Sequence, residues 1–287
     1  MLSVPPERSV PAATLNVLKA VDRVARDLGV EYFVLGATAR DIVLYGVFGI
    51  APERGTQDVD LAVAVSDWSH FDLVKAALVA TNDFSADPST PHRLFHRDDS
   101  MKKAYPLDLL PFGGVEDGSK KIVWPPELDV VMNVAGYREA FAAAQEVELA
   151  PGFIVRVASL PGLAVLKLLA WTDRGMGDPR DATDLVTIMR RYCDAGNEDR
   201  LYGEEIGVLE GVKYNTDLAG PRLLGKDAAR IISEATRSEV LAVLGDAGVV
   251  ERLIKDMARA IRGVDDSISA AEALLAQFKT GLEEVSR

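Results

Sequence analysis

The stretch Gly55-Thr56-Gln57-Asp58-Val59-Asp60-Leu61-Ala62-Val63 decides how this chain folds. Side chains of a β-strand alternate between its two faces, so Asp58 and Asp60 share one face while Val59 and Leu61 share the other. The apolar run after Asp60 is too apolar for an exposed edge and predicts a buried strand. Two carboxylates a few ångströms apart repel each other unless positive charge lies between them. We therefore predict a divalent ion on this face, Mg²⁺ or Mn²⁺.

A glycine corner precedes the acidic strand. Residues 30–35 have the composition of a short strand, and Gly36-Ala37-Thr38-Ala39-Arg40 then opens a helix that continues to Tyr45. Glycine at such a corner lets a ligand approach the backbone, and a helix N-terminus offers N–H groups to phosphate. The alternative is a plain turn of the chain. The acidic pair that follows favours the phosphate-binding interpretation.

A third carboxylate, Asp108, lies in the apolar segment Tyr105-Pro106-Leu107-Asp108-Leu109-Leu110-Pro111-Phe112. A buried carboxylate is unfavourable unless it is paired or bound to metal. Asp108 is therefore the predicted third ligand of a metal site that binds one or two ions. The two prolines favour the alternative, in which the segment is an edge strand.

The second half of the chain contains a cation in an apolar setting. Residues 160–173 predict a helix, and Lys167 lies among its leucines. Lysine is almost never buried without an anionic partner. Asp178 is the predicted N-cap of the next helix and Asp181 a first-turn acid favoured by the helix dipole, whereas neither role explains Asp184, one turn beyond Asp181. A salt bridge from Asp184 to Lys167 or Arg180 would explain that acid without catalysis.

These motifs, in this order, resemble the AbiEii/AbiGii toxin group of nucleotidyltransferases in the DNA polymerase beta-like superfamily. The resemblance covers roughly residues 28 to 190 and rests on residues 36–40, 54–61, 107–110 and 167–185. It implies an α+β nucleotidyltransferase fold with a mixed sheet flanked by helices. The implied domains are a nucleotidyltransferase core, residues 1–157, and a mainly helical part, residues 158–287, that completes the active site.

The resemblance also implies a reaction: Mg²⁺-dependent transfer of NMP from an NTP to an acceptor hydroxyl. Asp58, Asp60 and Asp108 would bind the metal, while Lys167, in contact with the triphosphate or pyrophosphate, and Asp184 would complete the catalytic set. The implied nucleotide-binding residues are Gly36, Ala37, Thr38, Arg40, Arg54 and Thr56. Ala37 departs from the serine or glycine common in the superfamily, so the hydroxyl contact to phosphate would be either lost or moved to Thr38.

The implied acceptor is RNA, with tRNA as the candidate, and the implied partner is the antitoxin of a bacterial toxin–antitoxin or phage-defence pair. Two alternatives remain open: transfer to a small molecule such as an antibiotic, and a non-catalytic nucleotide-binding relative. The formal net charge of −12 does not favour RNA. A local basic patch is the predicted RNA contact: Arg93, Arg97, Lys102 and Lys103.

The remaining sequence features are less specific. No apolar run reaches membrane-spanning length and no signal-peptide pattern begins the chain, so we expect no membrane contact and a cytoplasmic location. Cys193 is expected to be structural, and His92 and His96 to lie on the surface or in an acceptor groove. Residues 201–225 are predicted to be a connecting surface segment. Helices are predicted over residues 12–27, 68–80, 226–244, 249–262 and 267–284.

Overall fold

The chain divides into two units, Met1–Ala158 and Ser159–Arg287. The computed structural model describes residues 1–51, 55–56, 58–97, 104–125, 131–174 and 178–284. The first unit contains a large mixed sheet flanked by helices, and the described part of the second is helical. The predicted α+β fold class is thereby confirmed.

The described residues of the first unit form ten strands. Eight of them make the main sheet in the order β1-β9-β10-β2-β3-β6-β5-β4, while β7 pairs with β8 separately. The sheet is mixed because β1–β9, β10–β2 and β3–β6 are parallel and the other neighbours are antiparallel. The strands are β1 (Leu2–Ser3), β2 (Tyr32–Leu35), β3 (Val59–Val65), β4 (Phe84–Ala86), β5 (Arg93–His96), β6 (Tyr105–Gly113), β7 (Lys121–Val123), β8 (Val131–Asn133), β9 (Gln145–Ala150) and β10 (Phe153–Val157).

Strands β3 and β6 are neighbouring interior strands of the main sheet. In β3, Val59, Leu61 and Val63 are almost fully buried, as the alternating pattern predicts. Strand β6 lies between β3 and β5 and is therefore an interior strand despite its prolines. The alternative in which Asp108 belongs to an edge strand is wrong, because both sides of β6 are paired.

Helices of the first unit follow the predicted pattern. The predicted helices at residues 12–27 and 68–80 are confirmed. Helix α1 ends where Gly29 adopts a left-handed conformation (φ +66°), and Asp67 caps α3 by accepting a hydrogen bond from the His70 N–H. The helices are α1 (Ala12–Leu28), α2 (Gly36–Asp41), continued by a π-helical turn (Ile42–Val47), α3 (Trp68–Ala80) and α4 (Tyr137–Ala142), with a 3₁₀ turn at Pro6–Arg8.

Eight helices make up the described part of the second unit. Two of them, α9 and α12, pack against each other. A Cβ atom at Gly225 would lie 2.1 Å from the Phe278 carbonyl oxygen, so glycine is needed at this close approach. The helices are α5 (Leu160–Arg174), α6 (Arg180–Arg191), α7 (Glu198–Tyr202), α8 (Ile206–Gly211), α9 (Thr216–Ile231), α10 (Glu234–Val243), α11 (Ala247–Ala258) and α12 (Ser267–Glu283).

Three sequence predictions for the second unit need correction. Residues 201–225 are not a surface connection, because they include the end of α7, all of α8 and much of α9, and Leu201 and Leu209 are completely buried. The single helix predicted at 226–244 is two helices, since α9 ends at Ile231 and the Ser233 hydroxyl caps the start of α10. Helix α6 begins at Arg180 with Pro179 at its N-cap position, so Asp178 is not the N-cap.

Among the described residues, no helix combines the length and the apolar character required to cross a bilayer.

Candidate active site

Three charged residues form a row across three neighbouring strands of the main sheet. The strand register pairs Asp60 of β3 with Asp108 of β6, and Asp108 with Arg93 of β5. Directly opposed residues on paired strands project from the same face, and Asp58 joins this face by alternation. The sequence predicted the two acids of β3 on one face, and the register now places Asp108 beside them.

The carboxylates of Asp58, Asp60 and Asp108 converge. Each offers one oxygen, and these three oxygens lie within 4.8 Å of one another. Hard divalent cations such as Mg²⁺ and Mn²⁺ prefer oxygen donors, and carboxylates at this spacing would otherwise repel each other. The donor set therefore fits the divalent ion that the sequence predicted.

Gly36 makes space for the acidic cluster. Its φ is +67°, and a Cβ atom built on it would lie 2.0 Å from Oδ2 of Asp60. Any side chain at this position would be strained by the backbone and would overlap the carboxylate. The predicted glycine corner is therefore directly beside the acidic face, where α2 begins.

Two threonine hydroxyls hold Asp58. Thr38 donates to the main-chain carbonyl oxygen of Asp58 at 2.8 Å, and Thr56 donates to its Oδ1 at 2.6 Å. These bonds fix the backbone and the carboxylate of Asp58 from two different segments of the chain. The contact of Thr38 and Thr56 with a nucleotide stays a prediction.

Two of the other predicted nucleotide-binding residues, Ala37 and Arg40, are buried. Ala37 is buried beneath the corner. Arg40 is 2% exposed, and its guanidinium donates to Oδ1 of Asp41 at 2.6 and 2.8 Å. Arg54 lies outside the described residues. A nucleotide-binding role for these three residues stays a prediction.

Arg93 belongs to the acidic site, which the sequence did not indicate. Its Nε donates to Oδ1 of Asp108 and one terminal nitrogen donates to Oδ2, both at 2.7 Å. These hydrogen bonds, together with the charges of Asp108 and Asp58, outweigh partial burial and raise the pKa of the guanidinium. The guanidinium of Arg93 is already paired with Asp108, and its membership of a basic patch that contacts RNA stays a prediction. Only the β5–β6 register reveals this pair.

Lys167 and Asp184 form a buried charge cluster in the second unit. The Lys167 ammonium lies 2.9 Å from Oδ1 of Asp181 and 2.7 Å from Oδ2 of Asp184. Arg174 binds the other oxygen of Asp181 at 2.8 Å. The predicted alternative of a Lys167–Asp184 salt bridge is confirmed. Asp181, which the sequence explained as a simple first-turn acid, is 1% exposed and belongs to the same cluster.

A basic cavity of about 460 Å³ lies elsewhere in the first unit, between α1 and the end of β5. Exposed cations from both elements line it, Lys19 and Arg23 from α1 and Arg97 after β5. Asp83 also lines it and pairs with Arg23 at 3.0 Å. Of the predicted basic patch, Arg97 is exposed at this cavity, while Lys102 and Lys103 lie outside the described residues.

The two histidines predicted to lie at the surface are more enclosed than expected. His96 is 6% exposed and packs against Phe84 with ring centroids 5.0 Å apart. His92 is partly buried and packs against Trp124 at 5.3 Å. For His96 the surface alternative is wrong because its ring is buried, whereas the acceptor-groove alternative stays a prediction, since His96 lines the basic cavity.

A mixed sheet that carries clustered carboxylates beside a glycine corner is typical of nucleotidyltransferases. The sequence profile of the family described as "Nucleotidyl transferase AbiEii toxin, Type IV TA system" matches residues 25–276. The chain belongs to this family, and it is a nucleotidyltransferase. The predicted family is thus confirmed. No curated protein matches the sequence.

Several solved structures are similar to this chain. An antigenic nucleotidyltransferase-like protein from Paracoccidioides brasiliensis is 15% identical over 70% of this chain and 93% of that chain, with a TM-score of 0.42. The antibiotic-resistance factor ANT(2'')-Ia is 13% identical over 71% and 99%, with a TM-score of 0.34. A tRNA-processing enzyme is 14% identical over 95% and 58%, with a TM-score of 0.35.

Proposed function

We propose that the protein transfers NMP from an NTP to a hydroxyl group of RNA and that the transfer requires Mg²⁺. The observation that carries this proposal is the cluster of Asp58, Asp60 and Asp108, with ligand oxygens within 4.8 Å of one another. The family supports an NTP substrate and a divalent metal.

The chain's own residues prepare the acidic site. A divalent ion held by the three carboxylates would supply positive charge beside the phosphate oxygens as the transition state forms. Thr38 and Thr56 fix Asp58, and Gly36 leaves room for Asp60. Donors that are fixed before the substrate arrives need no reorganisation during the reaction.

The proposed reaction is an in-line displacement. The acceptor oxygen forms a bond to the α-phosphorus of the NTP, the bond to the bridging oxygen breaks, and pyrophosphate leaves while the acceptor hydroxyl loses its proton. Asp108 is proposed to lie beside that hydroxyl and to help activate it. Lys167 and Asp184 are proposed to complete the catalytic set, a role that rests on the family resemblance.

A transfer assay with a matched control tests this function. The protein is incubated with each α-labelled NTP, Mg²⁺ and total cellular RNA, and Asp60→Asn is compared with Asp72→Asn, which changes an exposed acid on α3. We expect label in RNA with wild type and Asp72→Asn, and a loss of about 10²-fold or more with Asp60→Asn, the scale of losing one preorganised group. Undiminished transfer by Asp60→Asn would refute the role of the acidic cluster.

The basic cavity supports RNA as the acceptor. Phosphate backbones are held by lysine and arginine, and in a chain of net charge −12 such residues must be concentrated locally. Lys19 and Arg97 come from different parts of the chain and line one cavity, so both charges would attract a phosphate bound there. Cations concentrated in this way favour the binding of a phosphate-bearing strand.

Charge reversal at the cavity distinguishes the acceptors. Lys19→Glu/Arg97→Glu is expected to raise the KM for RNA steeply, to flatten the salt dependence of RNA binding and to leave NTP affinity unchanged. Lys121→Glu/Arg262→Glu, which reverses two exposed charges outside the cavity, is the control. Transfer that is insensitive to salt and to these reversals would instead favour a small-molecule acceptor such as an antibiotic.

We also propose that the protein is the toxin of a toxin–antitoxin pair, for which the family supplies the support. Induced expression is expected to stop bacterial growth, and Asp60→Asn is expected to relieve the arrest. Arrest by both proteins would separate toxicity from nucleotidyl transfer.

A further inference from the structure

The position of Arg93 carries a consequence for metal binding. Arg93 is the one cation in the row that Asp60 and Asp108 form across β3, β6 and β5 of the described sheet. Its Nε atom and one terminal nitrogen form a two-pronged fork, in which each nitrogen lies 2.7 Å from one carboxylate oxygen of Asp108. The Asp108 side chain is 13% exposed and that of Arg93 is 33% exposed, so water screens this pair only in part.

The Arg93 fork leaves Asp108 able to serve as a ligand. A carboxylate offers about four lone-pair positions, and a bidentate arginine uses one on each oxygen. We call this two-pronged contact of Arg93 with Asp108 the clamp. With the clamp in place, an oxygen of Asp108 still lies within 4.8 Å of the ligand oxygens of Asp58 and Asp60. The clamped conformation and the converged metal site are therefore the same conformation.

Charge gives the clamp a second effect. Three carboxylates repel one another when no cation lies between them, and the guanidinium offsets part of that repulsion. A bound divalent ion would offset the same repulsion and would itself be repelled by the guanidinium. The arginine and the metal ion therefore compete electrostatically even where they do not compete for the same lone pairs.

We propose that Arg93 is the built-in counter-cation of the acidic site, which holds Asp108 in its ligand position before metal binds and weakens the binding of metal alone. This proposal rests on the metal site of the proposed function. Because NTP phosphates add negative charge and oxygen ligands, firm metal binding then requires the nucleotide. Arg93 is in this sense a positioning residue that couples metal binding to substrate binding.

The size of the effect follows from Coulomb's law. A +1 charge within several ångströms of a divalent ion changes the affinity of that ion by about tenfold even when the effective dielectric constant is close to that of water, and by more when the constant is lower. Neutralising Arg93 should therefore tighten the binding of a divalent ion without nucleotide by about tenfold or more. It should also lower the melting temperature of the metal-free protein, because the carboxylates lose their counter-charge.

Mn²⁺ binding by the full-length protein tests the proposal, measured by electron paramagnetic resonance of free Mn²⁺ without nucleotide. Arg93→Gln removes the charge, Arg93→Lys keeps the charge but lacks the fork, and Arg26→Gln neutralises an exposed arginine on α1 as the control. We expect Arg93→Gln to bind Mn²⁺ about tenfold more tightly than wild type and Arg26→Gln to bind within about threefold of wild type. Arg93→Lys, which keeps the charge and loses the fork, is expected to bind Mn²⁺ no more tightly than wild type. Circular dichroism verifies that each variant is folded.

Three results would overturn the proposal. Weaker binding by both Arg93 variants would mean that the arginine only orients Asp108, and unchanged binding by Arg93→Gln would mean that its charge has no effect. If Arg93→Gln does not fold, the wild-type protein alone tests the proposal. Equal affinity of wild type for Mn²⁺ with and without a non-hydrolysable NTP analogue would overturn the proposed coupling of metal binding to nucleotide binding. Failure of the metal site itself has a separate signature, which is equal Mn²⁺ binding by wild type and Asp108→Asn.

Discussion

Replacing Lys167 by methionine tests the buried charge cluster of the second unit. Methionine retains the apolar stem of lysine and removes its charge. In the wild type the ammonium lies 2.7 Å from Asp184, which is fully buried, and 2.9 Å from Asp181, which is 1% exposed. The variant therefore leaves two buried carboxylates with less compensating charge, although Arg174 still binds Asp181.

The expected loss of stability is large. Removing one partner of a buried ion pair costs about 3–5 kcal/mol, because the remaining charge stays buried without its counter-ion. Domains are stable by roughly 5–15 kcal/mol, so Lys167→Met should unfold at a much lower denaturant concentration. The sequence alone predicts a lysine that contacts phosphate, and replacing such a lysine by methionine should not lower stability. The salt bridges of Lys167 to Asp181 and Asp184 predict the opposite result.

Urea unfolding followed by circular dichroism measures this loss. Lys19→Met changes an exposed lysine in the same way and is expected to alter the free energy of unfolding by no more than about 0.5 kcal/mol. Adding Asp181→Asn and Asp184→Asn to Lys167→Met should recover part of the loss, since the buried negative charges are then absent. A Lys167→Met protein as stable as wild type would refute this reasoning.

Two further predictions concern single positions. Gly36→Ala should lower the free energy of unfolding by about 1–3 kcal/mol and weaken Mn²⁺ binding, because the new Cβ atom would overlap Oδ2 of Asp60. Gly55 has open space around it, so Gly55→Ala should change stability and Mn²⁺ binding little. Urea denaturation and Mn²⁺ titration measure the two effects. Burial alone would raise the pKa of Asp227, but hydrogen bonds from Arg200 and Tyr192 and the charge of Arg200 outweigh it and hold the pKa below its usual value. Because this pKa is lowered on folding, the ionised Asp227 stabilises the protein above pH about 4, and its contribution disappears as the pH falls further. Urea unfolding measured from pH 7 to pH 3 should therefore show a smaller decrease in the free energy of unfolding for Asp227→Asn than for wild type.

The features that could be predicted from the sequence are local ones. Alternation in residues 58–63 is sufficient to place Asp58 and Asp60 on one face, and the apolar residues around Asp108 are sufficient to predict a strand. The glycine corner could be located as well, because glycine before a helical pattern marks a change of chain direction. These features depend on neighbours in the sequence, which the pattern records directly.

The features that could not be predicted depend on pairing between distant segments. Arg93 joins Asp108 only because β5 lies antiparallel to β6 in one particular register. A shift of one residue would direct its side chain to the other face. Asp181 likewise has the sequence signature of an ordinary first-turn acid, and its burial follows from the packing of α5 against α6. Lysine and arginine patterns alone do not separate such paired cations from exposed ones.

The most direct test of the central claim is a crystal of the protein grown with Mn²⁺ and a non-hydrolysable NTP, measured at the manganese absorption edge. The account predicts an anomalous peak bonded to oxygens of Asp58, Asp60 and Asp108, with the triphosphate on the same face of the sheet. Metal and triphosphate bound away from these three carboxylates, in a protein that is active in the transfer assay, would contradict it.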